Sequence, residues 1–136
     1  MVNDDFVNRI VLTGVSTSTT GSNVGATGES SEPNQSGTTN SVWWSWTAPS
    51  SGTFTIDTKN SNFNTYLSIF TGSAVNNLSF VAANDDGGGN LTSLVNLNAI
   101  AGTTYQIAVD GYNSNTGAIQ LNIASKDTTP PTASSF

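Results

Sequence analysis

The amino-acid sequence predicts an all-β protein, an antiparallel β-sandwich of about eight short strands. Three observations predict this fold. Runs of Val, Ile, Thr and aromatic residues recur about every ten residues, as is typical of strands in a sandwich. Clusters of Gly, Asn, Asp and Pro, which favour turns, separate these runs. No segment has the apolar periodicity of an amphipathic helix of ordinary length.

The first 41 residues carry the weakest strand signals. An Asn-Asp-Asp triplet at residues 3–5 precedes Phe and Val, and this order predicts a capped helical turn that leads into an extended segment at residues 10–12. A weak strand is predicted at residues 15–20. A long loop of Thr, Ser, Gly and Asn follows, up to residue 41.

The strongest strand signal is Val-Trp-Trp-Ser-Trp-Thr at residues 42–47, which ends at the turn residues Ala-Pro-Ser-Ser-Gly. Because successive side chains of a strand point to opposite faces, Trp44 and Trp46 share one face and Trp43 lies on the other. We expect Trp44 and Trp46 to fill the sandwich core. The next strand, at residues 53–57, alternates so that Phe54 and Ile56 face the core.

The remaining strands follow at regular intervals. They are predicted at residues 66–70, 78–83, 93–99, 104–110 and 118–123. The last eleven residues contain a Pro-Pro pair and read as an extended linker. We therefore predict a sandwich module at residues 1–124 and a linker towards a following domain at residues 125–136.

The composition excludes several classes of function. The chain has no histidine and no cysteine, so it has no Ser-His-Asp triad, thiolate nucleophile, imidazole or thiolate metal ligand, or disulfide. Nine acidic and three basic residues give a net charge of −6. The cations Arg9, Lys59 and Lys126 are scattered, which argues against nucleic acid or an anionic membrane surface as a partner.

Four segments carry a family resemblance. They are Asn-Asp-Asp-Phe at residues 3–6, Glu-Ser-Ser-Glu-Pro-Asn at 29–34, Ser-Val-Trp-Trp-Ser-Trp-Thr-Ala-Pro at 41–49, and Asn-Asp-Asp at 84–86 taken with the segment 101–112. In order and spacing they resemble the bacterial pre-peptidase C-terminal domain family, in the branch found in large secreted and surface proteins. The resemblance extends from Asn3 to about residue 123.

The resemblance implies a jelly-roll-like β-sandwich without catalytic activity, attached to a protease or to an array of extracellular domains. Relatives at the end of bacterial collagenases bind calcium and collagen, with ligands from an N-terminal acidic segment and from the loop before the Trp-rich strand. The matching residues here are Asn3 and Asp4, with Glu29, Glu32 and Asn40 in the long loop. The chain departs from the family in lacking the Glu-rich segment that precedes the Asn-Asp pair in collagenase relatives, and in having Asn64 where Asp is common.

The loop carboxylates independently favour calcium as a cofactor. Six of the nine acidic residues lie in predicted loops rich in Asn and Gly: Asp4, Asp5, Glu29, Glu32, Asp85 and Asp86. Calcium takes six to eight oxygen ligands and needs neither His nor Cys. With Asn3 and Asn40, these six are the expected metal ligands. The alternative for residues 85–87 is an ordinary tight turn.

Two aromatic residues are candidates for binding an extracellular polymer. Trp43 is expected on the outer face of its strand, where a flat ring stacks on a sugar or on a partner chain, and the alternative we favour is that the long loop covers it. Tyr112, in a predicted Asp-Gly-Tyr-Asn turn, is the second candidate.

The sequence favours a non-catalytic, calcium-stabilised module of a secreted or cell-surface bacterial protein. Its expected partners are an extracellular protein or polysaccharide and the neighbouring domains of its own chain. A pure spacer in a surface array is the alternative. A glycosidase using Glu29 and Glu32 is the weakest interpretation, because both fall within one predicted loop, which is poorly suited to placing them on opposite sides of a substrate.

Overall fold

The computed structural model describes residues 3–28, 40–112 and 115–126, and in this part of the chain it contains nine strands. They are β1 (Ile10–Leu12), β2 (Ser16–Ser22), β3 (Val42–Thr47), β4 (Gly52–Asp57), β5 (Thr65–Thr71), β6 (Ser79–Asn84), β7 (Leu94–Ala99), β8 (Thr104–Gly111) and β9 (Ala118–Ser125). Two short 3₁₀ helices, Phe6–Asn8 and Val75–Asn77, complete the described elements.

The strands form two sheets. The five-stranded sheet has the order β1-β3-β8-β5-β6, and the four-stranded sheet has the order β2-β9-β4-β7. The pairs are antiparallel except that β1 runs parallel to β3. The predicted all-β sandwich is therefore confirmed. In the described residues, no helix has the length and apolar character of a membrane span.

The apolar alternation of the strands builds the core between the two sheets. Trp44 and Trp46 face it from β3, and Phe54 and Ile56 face it from β4, each at most 1% exposed. Trp46 and Phe54 meet across the sheets edge to face, with ring centroids 4.8 Å apart. Burying one such side chain contributes roughly 1.5–3 kcal/mol. The predicted core positions of these four residues are confirmed.

A second, smaller cluster lies on the outer face of the five-stranded sheet. It contains Phe6, Trp43, Phe70 and Ala108. Phe6 comes from the first 3₁₀ helix, so the N-terminal segment is fastened to the outside of the sandwich. This helix begins after Asp5, whose side chain makes no capping hydrogen bond. The helical turn was predicted correctly, but the predicted side-chain cap is not formed by this residue.

Candidate functional site

Asn3 is bound to the start of β3 by two hydrogen bonds. The backbone N–H of Trp43 donates to the Asn3 carbonyl at 2.9 Å, and Asn3 Nδ2 donates to the Trp43 carbonyl at 2.8 Å. Only 3% of Asn3 is exposed. The amide nitrogen therefore anchors the N-terminal segment to the strand.

Asp4 holds a residue of the long loop. Its two carboxylate oxygens accept hydrogen bonds from the backbone N–H and the hydroxyl of Thr27, at 2.8 and 3.1 Å. Asp5 is exposed. Asp4 therefore connects the N-terminal segment to the segment after β2.

Asn40 binds the other end of the same peptide group. Its Nδ2 donates to the Ala26 carbonyl at 3.0 Å, while its backbone N–H donates to Asp110 Oδ1 at 2.8 Å. Since Ala26 C=O and Thr27 N–H belong to one peptide, Asp4 and Asn40 lie on either side of it. Asn40 Oδ1 is buried and finds no hydrogen-bond partner in the described part of the chain.

Asn23 joins Asn40 to the segment at residues 115–117. It has no exposed surface, and its Nδ2 lies 3.1 Å from both the Asn40 carbonyl and the Asn115 carbonyl. Its Oδ1 accepts from the Gly117 N–H at 2.9 Å. We call the group of Asp4, Asn23, Asn40, Asp110 and the Ala26–Thr27 peptide the N-terminal corner.

Sequence reasoning missed two members of the N-terminal corner, Asn23 and Asp110. Asp110 precedes a glycine directly after the apolar run of β8, which is a readable signal for a polar group at a strand end. Asn23 is one of 17 asparagines, and nothing in its neighbours marks it as buried. Glu29 and Glu32, the other predicted ligands of this region, lie outside the described residues.

The second acidic pair lies in the connection between β6 and β7. Asp85 is half-buried and Asp86 is exposed. Burial raises the pKa of the Asp85 carboxyl, and the charge of Asp86 and a hydrogen bond with its side chain raise it further. Asp85 Oδ1 is buried without a described hydrogen-bond partner.

The predicted acidic ligands do not gather at one point. Among residues 3–28, 40–112 and 115–126, no three acidic side chains are close enough to share an ion. Asp4 therefore does not form a single cluster with Asp85 and Asp86. The predicted set divides into the N-terminal corner and the β6–β7 connection.

Trp43 is buried, which agrees with the favoured alternative that this side chain is covered rather than available to a polymer. It lies on the outer face of the sheet as expected, but it is only 1% exposed. Phe6 covers it edge to face at 5.1 Å, and Phe70 lies 6.0 Å away. The Arg9 guanidinium in turn lies 4.2 Å from the centre of the Phe6 ring. Among the described residues, the first 3₁₀ helix supplies this cover through Phe6.

Tyr112 remains partly accessible. It follows the end of β8 and is half-buried. Its backbone N–H donates to the Asn64 carbonyl at 3.0 Å, and its carbonyl accepts from the Asn115 side chain at 2.6 Å. The backbone is thus fixed while part of the side chain faces solvent.

Comparison with known proteins gives one family and two similar folds. The sequence model of the bacterial pre-peptidase C-terminal domain family matches residues 40–111 of this chain. Among curated proteins, none matches the sequence. The pre-peptidase C-terminal domain of collagenase from Bacillus anthracis is similar with a TM-score of 0.55 and 15% identity, covering 85% of this chain and 93% of that chain.

The second similar structure is PliG from Aeromonas hydrophila, a periplasmic inhibitor of g-type lysozyme. Its TM-score is 0.53 and its identity 14%, covering 85% of this chain and 95% of that chain. At such identities both likenesses concern the fold.

Proposed function

Because the chain belongs to the bacterial pre-peptidase C-terminal domain family, we propose that it is a non-catalytic accessory module of a secreted or cell-surface bacterial protein, stabilised by calcium and binding an extracellular polymer. The family occurs as an accessory domain in secreted proteins, and the Bacillus anthracis collagenase is one of them. The absence of His and Cys from the sequence restricts metal ligands almost entirely to oxygen, which suits calcium.

The observation that carries the calcium proposal is the unpaired oxygen of Asn40. A buried amide oxygen without a donor costs roughly 1–3 kcal/mol, and a cation would remove this cost. The Asp4 carboxylate lies on the other side of the Ala26–Thr27 peptide. The oxygens of the N-terminal corner therefore fit a hard cation in type. Asn40 offers the buried oxygen without a described partner, and Asp4 is a second proposed ligand on the opposite side of the peptide rather than at the same position.

Glu29 and Glu32 stay proposed ligands of the same corner, because residues 29 and 32 fall between Thr27 and Asn40 in the chain. Asp85 and Asp86 stay a second proposed position. Burial and, to a smaller extent, the charge of Asp86 raise the pKa of the Asp85 carboxyl, and its buried Oδ1 has no described hydrogen-bond partner. A cation at this position would offset the repulsion between the two carboxylates.

Calcium would supply positive charge that offsets carboxylate repulsion and links segments distant in sequence. Without the ion, the protein's own contacts already join these segments: Asp4 binds Thr27, and Asn40 binds Ala26 and Asp110. Calcium at 100 times its dissociation constant would add about 2.7 kcal/mol to the free energy of unfolding. For a domain of this size, that corresponds to a Tm increase on the order of 10 °C.

The test is thermal unfolding in excess calcium and in excess chelator. We expect calcium to raise the Tm of the wild-type domain, and Asp4→Asn to remove the part of this increase that arises at Asp4. Asp86→Asn is the matched variant, which loses one carboxylate at the second position and reports how much of the increase arises there. A wild-type Tm that is equal in calcium and in chelator would disprove the calcium proposal.

The proposed polymer is an extracellular protein or polysaccharide. Tyr112 supports this proposal because its ring is partly accessible beside a fixed backbone. Retention of the domain on immobilised collagen, peptide and polysaccharide panels tests it. A module that serves only as a spacer between domains would bind none of them.

A further inference from the structure

A polar cleft lies between the β4–β5 connection and the β6–β7 connection. Its volume is about 210 Å³. Lys59, Asn60 and Ser61 line it from the first connection, and Gly89, Asn90 and Thr92 line it from the second. None of these six residues was predicted as a site from the sequence.

A buried hydroxyl network fixes the two connections to one another. Thr58, Thr65 and Ser93 have no exposed surface. The Thr65 hydroxyl lies 2.7 Å from the Thr58 hydroxyl and 2.9 Å from the Ser93 hydroxyl. Ser93 Oγ also donates to the Asp85 carbonyl at 2.8 Å. The two walls of the cleft therefore hold their spacing before any ligand arrives, which lowers the entropic cost of binding.

The backbone of the cleft is strained. In the described part of the chain, three residues other than glycine have positive φ: Asn60 at 75°, Asn90 at 53° and Leu91 at 66°. Two of them line the cleft and the third follows directly. Asn tolerates this conformation, but a Leu in it is unusual. Strain of this kind concentrates at binding sites, where the surrounding contacts maintain it.

The lining groups select a ligand rich in hydroxyls. Amide and hydroxyl side chains both donate and accept hydrogen bonds, as do the hydroxyls of a sugar. Leu91, which follows Asn90 in the chain and is 52% exposed, does not line the cleft, so the contacts of the cleft itself are polar. The volume is below the roughly 300–1,000 Å³ of sites for drug-sized ligands, so it suits one sugar unit.

Lys59 adds a preference for negative charge. Its ammonium makes no ion pair within residues 3–28, 40–112 and 115–126, although the chain has three acids for every base. The Asp57 carboxylate accepts a hydrogen bond from the backbone N–H of Lys59, at 3.1 Å, but Asp57 does not line the cleft, and the other lining residues are neutral. An exposed cation among them matches a carboxylate on a hydroxylated ring. Asp85 and Asp86 precede this part of the β6–β7 connection but do not line the cleft.

We infer that this cleft binds a single acidic sugar unit of an extracellular polysaccharide. Lys59 pairs with the sugar carboxylate, and Asn60 and Asn90 bind its hydroxyls. The inference rests on the proposed polymer-binding function and specifies its ligand class and site.

The test titrates the calcium-loaded domain with trimers of galacturonate, glucuronate and mannuronate, and with a neutral galactose trimer, while amide NMR signals are recorded. We expect at least one uronate trimer to shift the signals of residues 59–61 and 88–92, and to bind about tenfold more tightly than the neutral trimer. The affinity should fall with added salt, because the charge pair is exposed.

Two variants and one matched control make the test specific. Lys59→Met should weaken uronate binding about tenfold, whereas Lys126→Met removes an equal charge elsewhere and should leave it unchanged. Asn90→Gly removes the amide while keeping a residue that adopts positive φ readily, so the variant folds and should also bind about tenfold more weakly. Failure of all three uronates, or equal affinity of Lys59→Met and wild type, would overturn the inference.

Failure of the inference can be separated from failure of the proposed function. If the wild-type domain and the Lys59→Met variant are retained equally on the polymer panels, the module binds a polymer through another surface and only the cleft is wrong. If the wild-type domain is retained on none of the panels and no uronate shifts its signals, the polymer-binding function fails as well.

Discussion

Trp46 Nε1 donates a hydrogen bond to the backbone carbonyl of Gly14, at 3.0 Å. This bond connects the end of β3 to the turn that follows β1. The ring nitrogens of Trp43 and Trp44, in contrast, are buried without a described partner. Three neighbouring tryptophans of one strand therefore differ in what their nitrogens contribute to stability.

Phenylalanine substitutions should expose this difference. Trp44 and Trp46 share one core, and neither has exposed surface. We expect Trp46→Phe to lower the free energy of unfolding by about 0.5–1.5 kcal/mol more than Trp44→Phe, because it also removes the hydrogen bond to Gly14. Urea unfolding of both variants measures the difference. Equal losses would mean that this bond contributes nothing.

The amide of Asn3 should stabilise the domain even without a metal. Asn3→Ala leaves the buried carbonyl of Trp43 without its side-chain donor, so we expect a loss of roughly 1–3 kcal/mol in excess chelator. Asp5→Ala, at an exposed neighbouring position, should change stability by at most about 0.5 kcal/mol. An Asn3→Ala loss seen only with calcium present would instead make Asn3 a metal ligand.

The buried hydroxyl network should contribute more than an exposed bond of the same length. Thr65→Val leaves the hydroxyls of Thr58 and Ser93 each without one partner, and we expect a loss of about 1–3 kcal/mol. Thr47 and Thr104 also lie 2.7 Å apart through their hydroxyls but on the exposed surface. Thr47→Val should therefore cost at most about 0.5 kcal/mol. Similar urea midpoints for the two variants would contradict this.

The raised pKa of Asp85 should make part of the stability depend on pH. Burial, then the charge of Asp86, then a hydrogen bond with its side chain raise this pKa above the usual 3.8. Between 3.8 and the raised value, the native state binds more protons than the unfolded state, so the free energy of unfolding falls as pH rises through this window.

Asp85→Asn removes the unfavourable charge. In chelator it should raise the urea midpoint at pH 7, and the gain should shrink as pH approaches 3.8. Asp5→Asn, which removes one charge from an exposed position, is the control. A gain from Asp85→Asn that is equal at both pH values would show that charge is not its origin.

Strand positions could be predicted because the alternation of apolar and polar residues is visible within each short segment of the sequence. The segment predicted at residues 42–47 is β3 to the residue, and the predicted burial of Phe54 and Ile56 is confirmed. The parallel pairing of β1 with β3 had no local signal, because it depends on where residues 10–12 are placed by contacts made elsewhere. The predicted boundary of the module near residue 124 stays a prediction.

The residue types of the candidate sites could be read from the sequence, but which of these residues lie close together in space could not. Asp4 and Asn40 were proposed as calcium ligands from their residue types and the family resemblance; both lie in the N-terminal corner, and calcium binding by them stays a prediction. For Trp43, strand alternation gave the face on which the side chain lies but not which residue covers that face. Phe6, 37 positions earlier in the chain, supplies the cover.

The pairing of β2 with β9 has a consequence for how the protein is made. Ser16 pairs with Ala124, so the described strand partner of β2 is the last strand of the domain. At a synthesis rate of about 5–20 residues per second, β2 leaves the ribosome roughly 5–20 s before β9 exists. Until then the four-stranded sheet cannot close. Folding of this sheet is therefore expected to follow, rather than accompany, the synthesis of the residues between β2 and β9.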